Sequence, residues 1–178
     1  TGEGLGFDSS RKFEQNTKRP KGKKEFDSRE MPRKDVQPEK YERDVSRLIF
    51  QNAKKDPEIV PLEISDHGVN YFIGNDKTKW KKDIPTSKNV LYKDLYKNID
   101  LKVFGVEKQV EYDWIVKPGG NPEDIIFAYK DTEGTEINAE GDLLVQTEFG
   151  KLIHKKPVSY QIVGGDRVDV ESSFKHIG

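Results

Sequence analysis

Turn-forming residues recur from Ser46 onward at intervals of roughly 8–12 residues, and this spacing constrains the fold more than any other feature. Short apolar or alternating runs lie between the turns. Residues 69–73, for example, are followed by Gly74-Asn75-Asp76, and Gly164-Gly165-Asp166 separates the last two runs. No stretch keeps a helical period over several turns. The pattern predicts an all-β fold, an antiparallel and sandwich-like domain.

Residues 109–116 show the clearest strand pattern in the chain. Their apolar residues alternate with Glu111 and Asp113, and successive side chains of a strand point to opposite faces. Tyr112 and Trp114 therefore fall on a face predicted to be buried, while the two acids fall on a solvated face. We expect this strand to be central in its sheet.

The N-terminal part of the chain differs in composition from the rest. Residues 11–45 contain twelve Lys or Arg, eight Asp or Glu, three prolines and only three large aliphatic residues. Such a segment buries too little apolar surface to offset the entropy lost on ordering. We therefore predict that residues 1–45 form a polar, basic linker or insertion, mobile in the isolated domain, and that residues 46–178 form the β domain. The alternative is a basic arm for nucleic acid, but acids are interspersed and stacking aromatics are lacking.

Composition excludes several function classes. The chain has no cysteine, which rules out disulfides, zinc–thiolate sites and cysteine catalysis. The net charge of −1 gives no global field that would attract nucleic acid or an anionic membrane. No apolar run approaches the ~20 residues needed to span a bilayer. His67, His154 and His176 are too scattered for a metal site, and we expect no cofactor and no metal.

One pair of acids could serve hydrolysis. Glu111 and Asp113 are two strand steps apart, so their Cα atoms would be ~6.6–6.8 Å apart on one face, a spacing that could suit the two carboxyl groups of a glycoside hydrolase. Asp94 and Asp100 are nearby in sequence. Alternating acids opposite aromatic residues more commonly mark the solvated face of a half-buried strand, and we favour that interpretation. We therefore predict no catalytic residue.

Aromatic residues are the best candidates for ligand contacts. Trp80 lies in a lysine-rich loop, and Trp80, Tyr71 and Tyr92 could form a flat platform for sugar rings. The other interpretation is that Trp80 packs against the edge of the sheet, because an indole buries a large area. We favour packing and keep the three residues as candidate ligand-binding residues.

Several motifs occur together in an order that resembles a known family. They are residues 69–76, Trp80, residues 84–86, 91–101, 110–114, 116–119, 121–122, Ile125, residues 137–143, Thr147, and residues 150–152 and 157–161. In this order they resemble the domain of unknown function that precedes SBBP (β-propeller-type) repeats in large bacterial exported and cell-surface proteins. Residues 1–45 match only weakly, and residues 4–7 resemble the remains of an early strand.

The resemblance implies a location and a role but no catalytic residue. It implies a non-enzymatic structural or interaction module, extracellular or on the bacterial cell surface, within a larger protein. The partners that it implies are downstream repeats of the same polypeptide and possible surface proteins or glycans, with no nucleic acid. A carbohydrate-binding module and a glycoside hydrolase-like enzyme stay open as alternatives. Because the chain begins at Thr1 without an initiator Met, we expect a fragment of that larger protein.

Overall fold

The computed structural model describes residues 4–12, 41–107 and 109–177 and shows an all-β protein with antiparallel sheets, which confirms the predicted fold class. Two short 3₁₀ turns, Lys77–Lys79 and Pro122–Asp124, are the helical elements in these ranges. Within them no helix reaches the length and apolar character that crossing a bilayer requires. The strands are β1 (Gly4–Lys12), β2 (Tyr41–Phe50), β3 (Glu58–Tyr71), β4 (Lys81–Tyr96), β5 (Ile99–Val106), β6 (Gln109–Val116), β7 (Phe127–Lys130), β8 (Gly134–Ile137), β9 (Leu143–Thr147), β10 (Gly150–His154), β11 (Ser159–Val163) and β12 (Asp166–Val170).

The described strands form four sheets. Their orders are β3-β4-β5-β6, β1-β2-β7, β10-β9-β8 and β11-β12, and the pairs β3–β4, β4–β5, β5–β6, β8–β9, β9–β10 and β11–β12 are antiparallel. The expectation that the 109–116 strand is central was wrong, because β6 lies at the end of its sheet. Alternation in a sequence reports which face of a strand is covered and carries no information about how many neighbours the strand has.

The chain divides into two compact units, Thr1–Leu5 with Leu48–Ala128 and Gly6–Arg47 with Tyr129–Gly178. In the first unit Leu95, Ile99 and Leu101 are fully buried at the junction of β4 and β5. In the second unit Val145 is fully buried in β9, the middle strand of its sheet, and Leu143 is nearly so. Fully burying one such side chain stabilises the fold by about 1.5–3 kcal/mol.

The predicted boundary at residue 46 falls inside a strand. β1 and the first part of β2 lie within the predicted linker, residues 1–45, and β1 pairs with β2, which pairs with β7. Residues 13–40, which make up most of that segment, lie outside the described residues. The division into a linker and a domain therefore stays a prediction.

The β3–β4 hairpin is much longer than its neighbours. β5 pairs with β4 over residues 89–96, whereas residues 81–87 of β4 pair with β3. Pairing is irregular near Gly68, where an added Cβ would lie 2.8 Å from the Cα of Asp83. Only glycine allows the two backbones to approach so closely. The distal half of the hairpin is thus a two-stranded ribbon that continues past β5.

Candidate functional site

The β4–β5 turn brings ionisable side chains together in the first unit. The turn contains Asn98, whose φ of 58° lies in the left-handed region that Asn tolerates better than most residues. The carbonyl oxygen of Asn98 accepts a hydrogen bond from the backbone N–H of Lys117 at 2.9 Å. Gly120 lies so close that a Cβ there would be 2.8 Å from the same oxygen. The segment after β6 is therefore held against the turn.

Asp94, Asp100 and Lys117 form a hydrogen-bonded cluster at this turn. The Nζ atom of Lys117 lies 2.8 Å from Oδ1 of Asp94 and 2.8 Å from Oδ1 of Asp100. Oδ1 of Asp100 also accepts a hydrogen bond from the backbone N–H of Asp94 at 2.7 Å, and Asp100 is buried. The hydrogen bond from Lys117 lowers the pKa of Asp94, and the hydrogen bonds to Asp100 and Asp94 raise the pKa of Lys117. The mutual hydrogen bond between Asp94 and Lys117 therefore favours the charged form of both groups.

An open depression of about 430 Å³ adjoins this cluster. Its polar lining consists of two lysines, two aspartates, one asparagine and one tyrosine: Lys54, Lys97, Asp94, Asp124, Asn52 and Tyr96. The Tyr96 hydroxyl donates a hydrogen bond to the carbonyl oxygen of Ile126 at 2.7 Å. The opposite charges balance, so the depression favours neither an anion nor a cation. In the part of the chain that the structure describes, no group of three or more His, Asp or Glu side chains could hold a metal ion.

Trp80 is held in place at the far end of the β3–β4 ribbon. Its indole Nε1 donates a hydrogen bond to the carbonyl oxygen of Gly74 at 3.1 Å, and its ring meets that of Phe72 edge-on at 5.0 Å between centroids. Asp76 caps the intervening 3₁₀ turn by accepting hydrogen bonds from the backbone N–H and the hydroxyl of Thr78. These contacts connect the Gly-Asn-Asp corner to the indole of Trp80.

The chain matches over residues 5–178 the family model described as Domain of unknown function (DUF7948). It belongs to this family. No curated protein and no solved structure matches the chain. The family match begins near the start of β1, so it covers the N-terminal residues whose sequence resemblance was weak.

The three candidate ligand-binding residues of this DUF7948 domain do not form one site. Tyr71 and Trp80 lie at the far end of the ribbon, where Tyr71 pairs with Lys81. Tyr92 pairs with Ile59 on β3 and with Leu101 on β5. Because β4 rises about 3.3 Å per residue, the eleven residues from Lys81 to Tyr92 span roughly 36 Å. A single sugar-binding platform cannot include Tyr92 together with Tyr71 and Trp80.

Glu111 and Asp113 lie on an exposed face of β6. Glu111 pairs with Phe104 and Asp113 pairs with Lys102 on β5, and both acids are exposed. On the opposite face Trp114 packs edge-on against Phe50 at 5.6 Å, and burial raises the pKa of Tyr112 to about 12. Tyr112 and Trp114 are half-buried on the face predicted to be buried, whereas Val110 and Val116 on the same face are 55% and 41% exposed.

Lys117 is the residue of the cluster that the sequence did not reveal. It follows β6, and it is separated from Asp94 by 23 residues in sequence. The sequence indicates Asp94 and Asp100 as candidate carboxylates for hydrolysis. Lys117 lies beside them only because β5 and β6 pair in an antiparallel orientation. The nearest signal was Pro118-Gly119-Gly120, which predicts a turn and so places the preceding residue at the end of a strand.

Proposed function

We propose that this DUF7948 domain is a non-enzymatic structural or interaction module of a large bacterial exported or cell-surface protein. The observation that carries the proposal is the concentration of exposed apolar side chains on two-stranded ribbons. Ile64, Tyr71, Phe72 and Ile73 of the β3–β4 hairpin are 51–75% exposed. Tyr71, Phe72 and Ile73 are consecutive, and exposed large apolar side chains that occur together typically mark an interaction site.

A second ribbon has the same character. In β11 and β12 Tyr160, Ile162, Val163, Val168 and Val170 are 44–62% exposed. A two-stranded ribbon is marginally stable alone, so partner contacts on either ribbon would add stability as well as specificity. This is the behaviour expected of a module within a larger assembly.

The charge state of the turn cluster also supports a non-enzymatic role. A general acid or base works best when its pKa lies near the working pH. The contacts among Asp94, Asp100 and Lys117 move the pKa of Asp94 down and that of Lys117 up, away from neutrality in both cases. Among the described residues every buried side-chain N or O atom has a hydrogen-bond partner, so the cluster needs no ligand to complete it.

The location and partners rest on the motif resemblance. The motifs resemble domains that precede SBBP repeats in exported and surface proteins, which favours an extracellular place and repeats of the same polypeptide as neighbours. Several of the motif residues are structural in this chain. Ile99 and Leu101 are buried, and Gly119 adopts a φ of 85° with an added Cβ only 3.2 Å from Nδ2 of Asn98. The motif therefore maintains the fold, as expected of a module without an active site.

The location is tested in intact bacteria that produce the full-length protein. An epitope inserted between Ala139 and Glu140, the exposed residues of the turn after β8, should be removed when intact cells are treated with an added protease, while a cytoplasmic marker protein persists. An epitope that disappears only after lysis would contradict the proposed surface location.

The non-enzymatic role is tested with the purified chain and a panel of polysaccharides and glycosides. No substrate should be hydrolysed faster by the chain than by the matched double variant Glu111→Gln with Asp113→Asn. Hydrolysis that the double variant loses, while it keeps the circular dichroism spectrum of the parent chain, would establish the glycoside hydrolase alternative instead.

A carbohydrate-binding module is the second candidate, and one observation favours it. Tyr71 is 51% exposed at the end of β3, where it pairs with Lys81, and Trp80 lies one residue before Lys81, so the same end of the ribbon carries two aromatic residues. Titration with soluble oligosaccharides, followed by tryptophan fluorescence, distinguishes this candidate from a module that contacts only protein.

A further inference from the structure

The far end of the β3–β4 ribbon, residues 71–83, combines exposed apolar side chains with positive charge. We call this segment the ribbon tip. Ile73 is 75% exposed, Phe72 is 53% exposed and Tyr71 is 51% exposed, and all three are consecutive. Exposed isoleucine and phenylalanine side chains at the apex of a turn have an unfavourable free energy of hydration and do not contribute to the core. An apex of this kind is expected to be covered by a partner.

The ribbon tip is rigid. Asp76 accepts hydrogen bonds from Thr78, and Trp80 donates to the Gly74 carbonyl while its ring contacts Phe72. The backbone N–H of Trp80 also donates to the Lys77 carbonyl at 3.2 Å. Because the apex is already ordered, its binding would cost little additional conformational entropy.

Lysines surround the apolar apex. The tip contains four lysines (Lys77, Lys79, Lys81 and Lys82) and two aspartates (Asp76 and Asp83). Its net charge is therefore +2, although the whole chain carries −1. All four lysines are exposed. The hydrogen bonds from Thr78 lower the pKa of Asp76. The Asp76 carboxylate is therefore charged at neutral pH, and the net charge of the tip is +2 there. The tip is complementary to a surface that carries negative charge.

The ribbon carries the tip away from the four-stranded sheet. Its pairing with β5 begins at Asn89, and the tip begins at Lys81 on the same strand. Eight strand residues at about 3.3 Å each span roughly 26 Å. The apex is the end of a narrow ribbon, which offers no cleft to enclose a sugar or a peptide.

We propose that the ribbon tip inserts its apolar apex into the surface of an anionic lipid bilayer. Phe72 and Ile73 would enter the boundary between headgroups and acyl chains, as the apolar faces of interfacial elements do. Tyr71 and Trp80 have the amphipathic rings that are enriched at this depth. The lysines would contact anionic headgroups while their methylene stems extend along the apolar region. The insertion does not depend on the proposed module function, because it follows from the tip alone.

The test is co-sedimentation of the purified chain with vesicles of two compositions. One set contains phosphatidylcholine alone, and the other contains phosphatidylcholine with an equal part of phosphatidylglycerol. The chain should sediment with the anionic vesicles and much less with the neutral ones. Ile73→Ser should weaken partitioning by at least about tenfold, because transferring an isoleucine side chain from water is worth more than that factor.

A charge variant with a matched control tests the lysines. Replacing Lys77, Lys79, Lys81 and Lys82 by Gln should weaken binding by about a hundredfold or more, since each lysine near an anionic surface contributes severalfold. Replacing four exposed lysines outside the tip, Lys55, Lys88, Lys130 and Lys175, changes the net charge equally and should weaken binding far less. Ile162→Ser, on the β11–β12 ribbon, is the apolar control, since Ile162 is 62% exposed.

Insertion is measured directly in a Trp114→Phe variant, in which Trp80 is the remaining tryptophan. Vesicle lipids brominated on their acyl chains should quench Trp80, and Ile73→Ser should remove the quenching. Absence of binding to anionic vesicles would overturn the proposal, and so would equal losses in the tip and control variants. Binding to heparin that Ile73→Ser leaves unchanged, without quenching by brominated lipid, would assign the tip to a soluble polyanion instead.

Discussion

At the scale of single residues, Trp80 decides between packing and sugar binding. Its indole N–H is already bonded to Gly74, and one edge of its ring contacts Phe72. Trp80→Ala should lower the free energy of unfolding by about 2 kcal/mol, less than for a fully buried indole, because the ring is only partly buried. Chemical denaturation measures this loss.

The sugar-binding interpretation makes the opposite prediction for the same residue. A platform indole would shift its fluorescence with some oligosaccharide, and Trp80→Ala would abolish that binding with little effect on stability. Tyr71→Ala is the matched comparison, because Tyr71 is 51% exposed beside Trp80. We expect no glycan response from the parent chain, and saturable binding that both substitutions remove would refute the packing role.

Gly120 is required by the close approach of two backbone segments. A Cβ at Gly120 would lie 2.8 Å from the Asn98 oxygen and 3.2 Å from Cγ1 of Ile99. Gly120→Ala should therefore destabilise the first unit by about 1–3 kcal/mol through overpacking. Gly105→Ala on β5 is the control, since its nearest atom would be 3.9 Å away and its effect should be near zero. Equal thermal midpoints for the two variants would show that the turn can relax.

At the scale of elements, β6 combines an edge position with a well-packed aromatic face. Trp114 contacts the rings of Phe50, Tyr96 and Tyr112 at 5.6–6.5 Å. Trp114→Ala should cost about 3 kcal/mol of stability, at the lower end for tryptophan because the ring is only partly buried. Val110→Ala on the same face should cost much less, since Val110 is 55% exposed. Fluorescence of a solvent-exposed indole in the folded Trp80→Phe variant would contradict this assignment.

The β10 strand contains a pH-sensitive residue. His154 at its end contacts the Tyr129 hydroxyl through Nε2 and the ring of Phe174 edge-on, and burial lowers the pKa of His154 from 6.5. The folded chain therefore binds fewer protons than the unfolded chain below that pH. The stability due to neutral His154 is complete above about pH 6.5 and is lost as the pH falls toward the lower folded pKa.

Denaturation curves between about pH 7 and pH 5 test this dependence. The free energy of unfolding should fall over this range in the parent chain and fall less in His154→Gln. His67→Gln is the control, because the His67 side chain is exposed, and it should keep the parent slope. If the free energy of unfolding of His154→Gln falls with pH as steeply as that of the parent chain, other groups cause the pH dependence.

The elements differ in how far the sequence determines them. The hairpin between β8 and β9 depends on local effects of turn residues, because Gly141 adopts a φ of 86° and the Asn138 side chain accepts a hydrogen bond from the backbone N–H of Asp142. The edge position of β6 and the partner of Asp94 and Asp100 depend on which strands pair. Strand order is set by contacts between distant segments, and a single sequence carries no local signal for it.

At the scale of the whole molecule, the spacing of turns in the sequence predicts the all-β class, whereas residue type alone does not predict which residues share a candidate ligand site. Tyr71 and Trp80 are close because one turn joins them, whereas Tyr92 was grouped with them by residue type alone and lies on another part of β4. Residue type predicts what a side chain can contact, and only the register of the strands determines which of these side chains lie together.

Net charge and exposed apolar surface together predict self-association. The chain carries −1 at pH 7 and its isoelectric point is near 6.3, so electrostatic repulsion between copies is weakest close to that pH. Ile162 and its apolar neighbours on the β11–β12 ribbon are exposed, and their side chains do not titrate. Light scattering of the purified chain should therefore rise to a maximum near pH 6.3 and fall on either side.

Two variants separate the apolar contribution from the charge contribution. Ile162→Lys removes an exposed isoleucine and adds one positive charge, while Thr135→Lys adds the same charge at an exposed polar position of β8. Both variants shift the pH of maximum scattering upward, because both raise the isoelectric point. Only Ile162→Lys should also lower the height of the maximum, because association near zero net charge depends on the apolar surface that remains. Equal heights in the two variants would show that another surface drives association, and the β11–β12 ribbon would then lose its support as an interaction surface.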